Sequence, residues 1–229
     1  QLVVSHLQQE VQIGFEPGLQ DHEDLLVAYF KTVSPALAKD RSQAELPPEG
    51  RKDLRWKRLG FQSEDPRTDF RGGGVLALRC MLFMAELDAP RVCQMIRESS
   101  GMGPLVASYD VNRYYPFSAA VVNICFELSG WLMLDARRPP ANAETVCSGR
   151  GYRRFANFLE VEPDAFFLIT TAAVASMHED WKENSRSILD FGISIRSAMT
   201  RTAAFLNDPP EGPPIQVLDE LRTSWTLKK

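Results

Sequence analysis

Paired cysteines, clustered histidines, strand-like alternation and a positive net charge are all missing from this 229-residue sequence, and each gap removes a class of function. The four cysteines, Cys80, Cys93, Cys125 and Cys147, include no C-x-x-C pair, which argues against a zinc knuckle and against a disulfide framework. They read as buried cytosolic thiols. The three histidines, His6, His22 and His178, lie far apart without H-E-x-x-H spacing, so no zinc hydrolase is indicated. His178, between Met177 and the indole of Trp181, reads as a packed or partly solvated side chain. No cysteine stands in a context that would activate it as a nucleophile. With 26 Lys and Arg against 30 Asp and Glu, the formal charge of −4 offers no general cationic field, and nucleic-acid binding is not expected. The 14 glycines and 15 prolines stay close to average usage, which excludes collagen-like and low-complexity chains. No transmembrane segment is expected either. The longest apolar stretch, Phe117 to Leu134, is interrupted by Asn123, Glu127 and Ser129. The first residue is Gln1 rather than Met, so the sequence reads as a fragment, with the true N-terminus and any signal or lipidation site expected to lie outside it.

What remains is 44% hydrophobic and 24% charged, enough to bury a core, and its periodicity is helical almost throughout. The expected class is all-α. A helix should start at Asp21, with an acidic first turn followed by Leu25, Leu26, Tyr29 and Phe30, and Pro35 should kink or end it. Leu46 to Gly50 reads as a linker, and Arg51 to Arg58 as a short basic helix stopping near Gly60. A core helix from Val75 to Leu87 and a shorter one from Pro90 to about Ser99 follow. Gly101 to Pro104 breaks the chain, and the apolar helix after Tyr115-Pro116-Phe117 is expected to end near Leu134. Arg137 to Gly151 is the longest polar loop. Short helical periodicity returns over Tyr152 to Leu159. Pro163 should open a helix carrying Phe166, Phe167, Ile169, Val174 and Trp181, Ile188 to Leu206 makes another, and Ile215 to Trp225 is a last amphipathic one.

Two motifs invite chemistry. Gly72-Gly73-Gly74 suggests an anion cradle, but neither G-x-x-x-x-G-K-[ST] nor G-x-G-x-x-G is present, so a tight turn with close helix packing is the plainer reading. The segment Trp56 to Gly74 is denser. It is too long and aperiodic for an ordinary connection. Trp56, Phe61 and Phe70 can pin it to the core, Asp65-Pro66 can set a turn, and Thr68 or Asp69 can cap the helix after the glycines. That leaves Arg71, a guanidinium on a glycine-rich joint, which is either locked in an ion pair with Asp69 or another acid, or free to act. From Arg51 to Arg91 nine basic residues face six acidic ones, so this stretch is locally basic inside an acidic chain.

The run Trp56-x-x-Leu59-Gly60-Phe61-Gln62-x-x-Asp65-Pro66-x-Thr68-Asp69-Phe70-Arg71-Gly72-x-Gly74, with Leu76 and Leu78 behind it, closely resembles the signature of the ELMO domain in its ELMO-domain-containing branch. Looser matches follow in order: Tyr115-Pro116-Phe117, Asn123, a Phe-rich helix ending in Trp181, and Phe191. The resemblance implies an ELMO domain over 21–206, flanked by an N-terminal helical extension (1–20) and a C-terminal linker with a short helix (207–229). It also implies a GTPase-activating protein for Arf/Arl-family small GTPases in their GTP-bound state, with Arg71 as the catalytic arginine. Related ELMO scaffolds that partner DOCK exchange factors for Rac lack that arginine, which leaves a non-catalytic scaffold or GTPase effector as the alternative. Under the activating reading Phe70 anchors the loop, Gly72 to Gly74 allow close approach to the nucleotide, and Gln62 fixes the loop or meets the partner. Trp56, Gly60, Phe61, Asp65 and Asp69 position the loop or bind the partner. The chain would need no cofactor of its own, because the GTPase holds GTP and Mg²⁺. It would work in the cytoplasm, in membrane traffic, and reach membranes through its partner.

Overall fold

Apolar residues recur at three- and four-residue spacing along most of the chain, and each such stretch forms a helix. The computed structural model describes residues 2–37, 45, 52–100, 114–137, 146–208 and 211–227. In order come α1 (Leu2–Glu10), α2 (Gln20–Leu37), α3 (Leu54–Arg58), a 3-10 helix (Pro66–Arg71), α4 (Gly74–Ser99), α5 (Phe117–Trp131), α6 (Gly149–Val161), α7 (Ala165–Glu183), a 3-10 turn (Ile188–Asp190), α8 (Phe191–Asn207) and α9 (Pro214–Ser224). No strand occurs among the described residues, and the class is all-α. The expected linker at 46–50, the break at 101–104 and most of the polar loop after Arg137 lie outside the described residues.

At the centre is α7, buried on nearly every face, with α4, α5 and α8 packed around it. Its alanines Ala172, Ala173 and Ala175 let these neighbours approach closely. α2 lies along α4 through the i, i+3, i+4, i+7 set Leu26, Tyr29, Phe30 and Val33. Pro35 does not stop α2, which continues to Leu37. A proline so near the end removes a single bond from the last turn. The two helices expected on either side of Asp88 are both formed, and within α4 they meet at a kink. Asp88 takes extended backbone (φ −158°, ψ 81°), and its Oδ1 accepts the Arg91 N–H at 3.0 Å, so it caps the second half. α5 ends at Trp131, short of the expected Leu134. Met133 turns left-handed (φ 55°), and the N–H groups of Met133 and Leu134 donate back to Gly130 and Ser129 carbonyls at 3.0 and 2.9 Å, closing a Schellman motif.

Three buried carboxylates tie the helices. Asp180, near the end of α7, accepts from Ser194 Oγ (2.8 Å), Ser197 Oγ (3.2 Å) and Arg186 Nε (3.2 Å), which clamps α8 onto α7. Asp135 accepts from Gln12 Nε2 (3.0 Å) and Arg137 Nε (2.9 Å), while Arg137 also donates to the Val11 carbonyl (3.0 Å), so the N-terminal segment is stitched to the domain. The third is Asp69, treated below.

His178 is buried, as its apolar neighbours suggest, but polar partners hold it. Its Nδ1 lies 2.7 Å from Tyr115 Oη and its Nε2 2.8 Å from Glu98 Oε2, which Lys182 Nζ also meets at 2.8 Å. A neutral ring that accepts from the tyrosine and donates to Glu98 satisfies every atom. Burial pushes the Glu98 carboxyl up, but hydrogen bonds from Lys182, Gln94 and His178 outweigh it and hold it at about 2. Its stabilising contribution is therefore complete above the usual carboxylate value and is lost as the pH falls through about 2. Replacing Glu98 by glutamine should flatten the fall of the thermal midpoint between about pH 4.5 and pH 2. An unchanged slope would contradict this assignment.

All four cysteines are reduced and buried. The nearest pair, Cys80 and Cys125, has sulfurs 3.9 Å apart and no bond. Burial pushes the thiols of Cys80 and Cys93 up, and that of Cys147 to about 12. Native protein should therefore react with an aromatic disulfide reagent only as fast as it opens, and all four thiols should react at once in denaturant. A thiol titrating promptly in the native state would contradict the packing.

Candidate functional site

Between α2 and α4 the chain folds into a turn of α3, a short loop and the 3-10 helix, held from both sides by rings. Asp53 caps α3 by accepting the Arg55 N–H at 2.8 Å and pairs with the Arg55 guanidinium at 2.8 Å. Trp56 meets Phe30 edge-on at 5.2 Å and Phe61 at 5.5 Å, and Phe61 in turn meets Tyr29 at 5.7 Å and Phe70 at 6.0 Å. Phe70 stacks on Phe15 at 5.5 Å. Trp56, Phe61 and Phe70 thus form one continuous aromatic line, with every ring pair in the favourable centroid range.

Gly60 and Asp69 join this line to α5. Gly60 has φ +91°, and a Cβ there would stand 2.8 Å from the Phe117 Cβ, so only glycine fits. Its carbonyl accepts the Ser118 N–H at 2.9 Å. Asp69 is buried and accepts the Gln62 N–H at 2.9 Å and the Ser118 hydroxyl, with Thr68 Oγ1 at 3.4 Å. Burial pushes its carboxyl up, against the pull of these donors. Neither Thr68 nor Asp69 caps α4. The cap is Gly73, with no side-chain bond, while Thr68 Oγ1 closes back on the Asp65 carbonyl at 2.9 Å. Asp65 caps the 3-10 helix, accepting the Arg67 N–H at 3.3 Å, and Pro66 opens it.

The glycines divide by role. Gly74 has φ +56°, and a Cβ there would lie 2.3 Å from the Ile13 carbonyl, which accepts the Val75 N–H at 3.1 Å. At Gly73 a Cβ would lie 2.6 Å from that of Ala77. These two pack the helix start against its neighbours. Gly72 is exposed, with only Val122 Cγ1 near, at 4.0 Å.

Arg71 ends the 3-10 helix. Residues two apart on such a helix point in directions about 120° different, so with Asp69 turned inward Arg71 is turned out. It is exposed and makes no hydrogen bond or ion pair with any described residue. The ion pair with Asp69 that the sequence leaves open is not formed. Gln62 is exposed beside this region, while its backbone serves Asp69. Clefts of about 330 Å³ beside His178 and about 570 Å³ between α1 and α2 are lined by neither Arg71 nor Gly72. Among the described residues no group of three or more His, Cys, Asp or Glu is placed to hold a metal ion, and no helix is long and apolar enough to cross a membrane.

The model of the ELMO/CED-12 family matches residues 5–194, most of the chain. The chain belongs to the ELMO/CED-12 family. Among its relatives is ELMO domain-containing protein 1 of Bos taurus, 36% identical over 86 residues, a stretch covering 38% of this chain and 24% of that protein. The human ELMO domain-containing protein 1 is likewise 36% identical over 86 residues, 38% of this chain and 23% of that protein. ELMO domain-containing protein C of Dictyostelium discoideum is 31% identical over 110 residues, 48% of this chain and 14% of that protein. The matched part thus spans about a quarter or less of these ELMO relatives. No solved structure matches the chain.

Two groups at this site carry no sequence signal. Ser118 is an ordinary serine 49 residues from its carboxylate partner. Phe15 and Ile13 sit in a segment whose periodicity says nothing of a docking place. Only the inward-facing Phe70 and the tight Gly74 hint that something must cover them.

Proposed function

We propose that this ELMO-family chain is a GTPase-activating protein for Arf/Arl-family small GTPases, supplying Arg71 in trans to the bound GTP. The observation that carries the reading is an exposed guanidinium, without a partner among the described residues, on a support that is held: Phe70 by two rings, Asp69 by the Gln62 N–H and the Ser118 hydroxyl, Gly73 and Gly74 by packing. Ile13 and Phe15 belong to that support, so the proposed unit uses the N-terminal extension as well as residues 21–206.

The chemistry suits the residue. In phosphoryl transfer negative charge spreads over the γ-phosphoryl oxygens, and an inserted guanidinium stabilises that distribution more than the ground state. The planar fork offers paired donors at fixed geometry, which an ammonium does not. Gly72, open to solvent, would add no side chain between Arg71 and a nucleotide, and Gln62, exposed nearby, would meet the GTPase surface. GTP and Mg²⁺ belong to the partner, and recruitment from the cytoplasm to a membrane would come through it.

The test is single-turnover hydrolysis by GTP-loaded Arf/Arl GTPases, with and without the chain. Stimulation of at least one of them is expected. Binding to the GTP form without stimulation would replace this reading with that of an effector or scaffold, and hydrolysis without any GTPase would replace it with a stand-alone enzyme.

A further inference from the structure

Resting on the arginine-finger reading, we infer that Ser118 is a positioning residue that fixes where Arg71 stands, through its hydroxyl bond to the buried Asp69. The geometry is specific. Ser118 lies in the first turn of α5, where a helix leaves N–H groups unpaired, and Pro116, the capping residue, provides no side-chain cap. Two groups of the Arg71 segment meet that turn. The Gly60 carbonyl takes the Ser118 N–H at 2.9 Å, and the Asp69 carboxylate takes its hydroxyl. Ser118 is therefore bonded to both ends of the segment that Gln62 and Asp69 also close, through the Gln62 N–H at 2.9 Å.

Asp69 has no cationic partner among the described residues, and it is buried. Its orientation is set by hydrogen bonds alone: a backbone N–H on the same segment and a hydroxyl from a different helix, with the Thr68 hydroxyl, closed on the Asp65 carbonyl, farther off at 3.4 Å. Of these, only the Ser118 hydroxyl comes from another helix, and it acts beside the one ion pair that ties the 3-10 helix outward among the described residues, Arg67 to Glu23 of α2 at 3.4 Å. The rings around Phe70 fix depth but tolerate rotation, because aromatic packing is far less directional than a charge-assisted bond. Arg71 follows two residues after Asp69, at the end of a single stretch of 3-10 helix, so a rotation about the helix axis carries the guanidinium with it. The start of α5 also places positive helix dipole beside the carboxylate, which favours its ionised, accepting form against the effect of burial.

Catalysis by an inserted group depends on placement, and a misplacement of about 1 Å can cost on the order of 100-fold. Docking of the GTPase, which involves a wider surface, depends on it less. Ser118→Ala should therefore lower the maximal stimulated rate about 10- to 100-fold while the half-saturating concentration of the chain changes less than about threefold. Its amide exchange at Gln62 and Arg71 should quicken at least about tenfold relative to amides in α7. Asp69→Asn, which keeps an acceptor for the Gln62 N–H and can still bond the serine, should retain most of the rate, whereas Asp69→Ala should behave as Ser118→Ala. Two results would overturn the inference. One is a Ser118→Ala protein with maximal rate and Gln62 exchange within twofold of wild type. The other is exchange quickened uniformly through the chain with rate and half-saturation worsening together, the mark of general loosening. Should wild type stimulate no Arf/Arl GTPase, the proposed function falls, and the Gln62 and Arg71 exchange rates alone still decide whether Ser118 holds the segment.

Discussion

Arg71→Ala should lower stimulated GTP hydrolysis by about 10³- to 10⁵-fold, or roughly 4 to 7 kcal/mol of transition-state stabilisation, with the fold untouched. Both halves follow from the same observation. The side chain is exposed and unpaired among the described residues, so its removal breaks no bond of the domain, and stability should stay within about 0.5 kcal/mol. The catalytic loss is large because two other arginines of this segment are committed elsewhere. Arg67, four residues earlier, is paired with Glu23 at 3.4 Å and with Asp65 at 3.8 Å, and Arg55 is committed to Asp53. Arg71→Lys restores charge without the planar fork and should recover only a minor part. Single-turnover rates for the three proteins, alongside thermal midpoints, check this. Equal stimulation by all three would remove Arg71 from the mechanism.

The largest effect on the fold is expected at Gly74. Two penalties combine in Gly74→Ala: φ +56° is strained for an L side chain at about 1 to 2 kcal/mol, and the new Cβ would stand 2.3 Å from the Ile13 carbonyl. Relief requires the Ile13 backbone to retreat, which breaks the Val75–Ile13 bond at 3.1 Å and weakens the Phe15–Phe70 stack at 5.5 Å. A loss of about 2 to 4 kcal/mol follows, roughly 5 to 15 °C in a chain of this size. Gly72→Ala is the control. Its backbone is ordinary and its nearest neighbour is 4.0 Å away, so less than about 1 kcal/mol is expected, and any fall in stimulation there would report on approach to the nucleotide rather than on folding. A Gly74→Ala protein as stable as Gly72→Ala would contradict the packing described.

Much of this was legible in the residues, for particular reasons. The i, i+3, i+4 stripes of α2, α4 and α7 exposed the class, because helical burial writes its period directly into sequence. Asp65-Pro66 marked a turn, which the fold makes the start of the 3-10 helix, and Phe70 a ring pinned to the core, since a large ring leaves few choices of place. The role of Asp69 was not legible. Acidic residues near a helix start suggest a cap, and only the tertiary approach of α5 shows the carboxylate facing Ser118 instead. Nor could adjacency in sequence separate Gly72 from Gly73 and Gly74, because their difference lies in Val122, Ala77 and Ile13, brought there by packing. The apolar pattern runs three residues past the α5 terminus because Met133 adopts a left-handed turn usually left to glycine, which the sequence does not signal.

The central claim is that Arg71 acts on the transition state rather than on docking. Its most direct test is the affinity of the chain for an Arf/Arl GTPase loaded with GDP and aluminium fluoride, which mimics the transferring phosphoryl group, compared with the same GTPase holding a non-hydrolysable GTP analogue. Wild type should prefer the aluminium fluoride form by at least about 100-fold, and Arg71→Ala should lose that preference while still binding the GTP-analogue form. An Arg71→Ala protein that keeps the full preference would contradict the account.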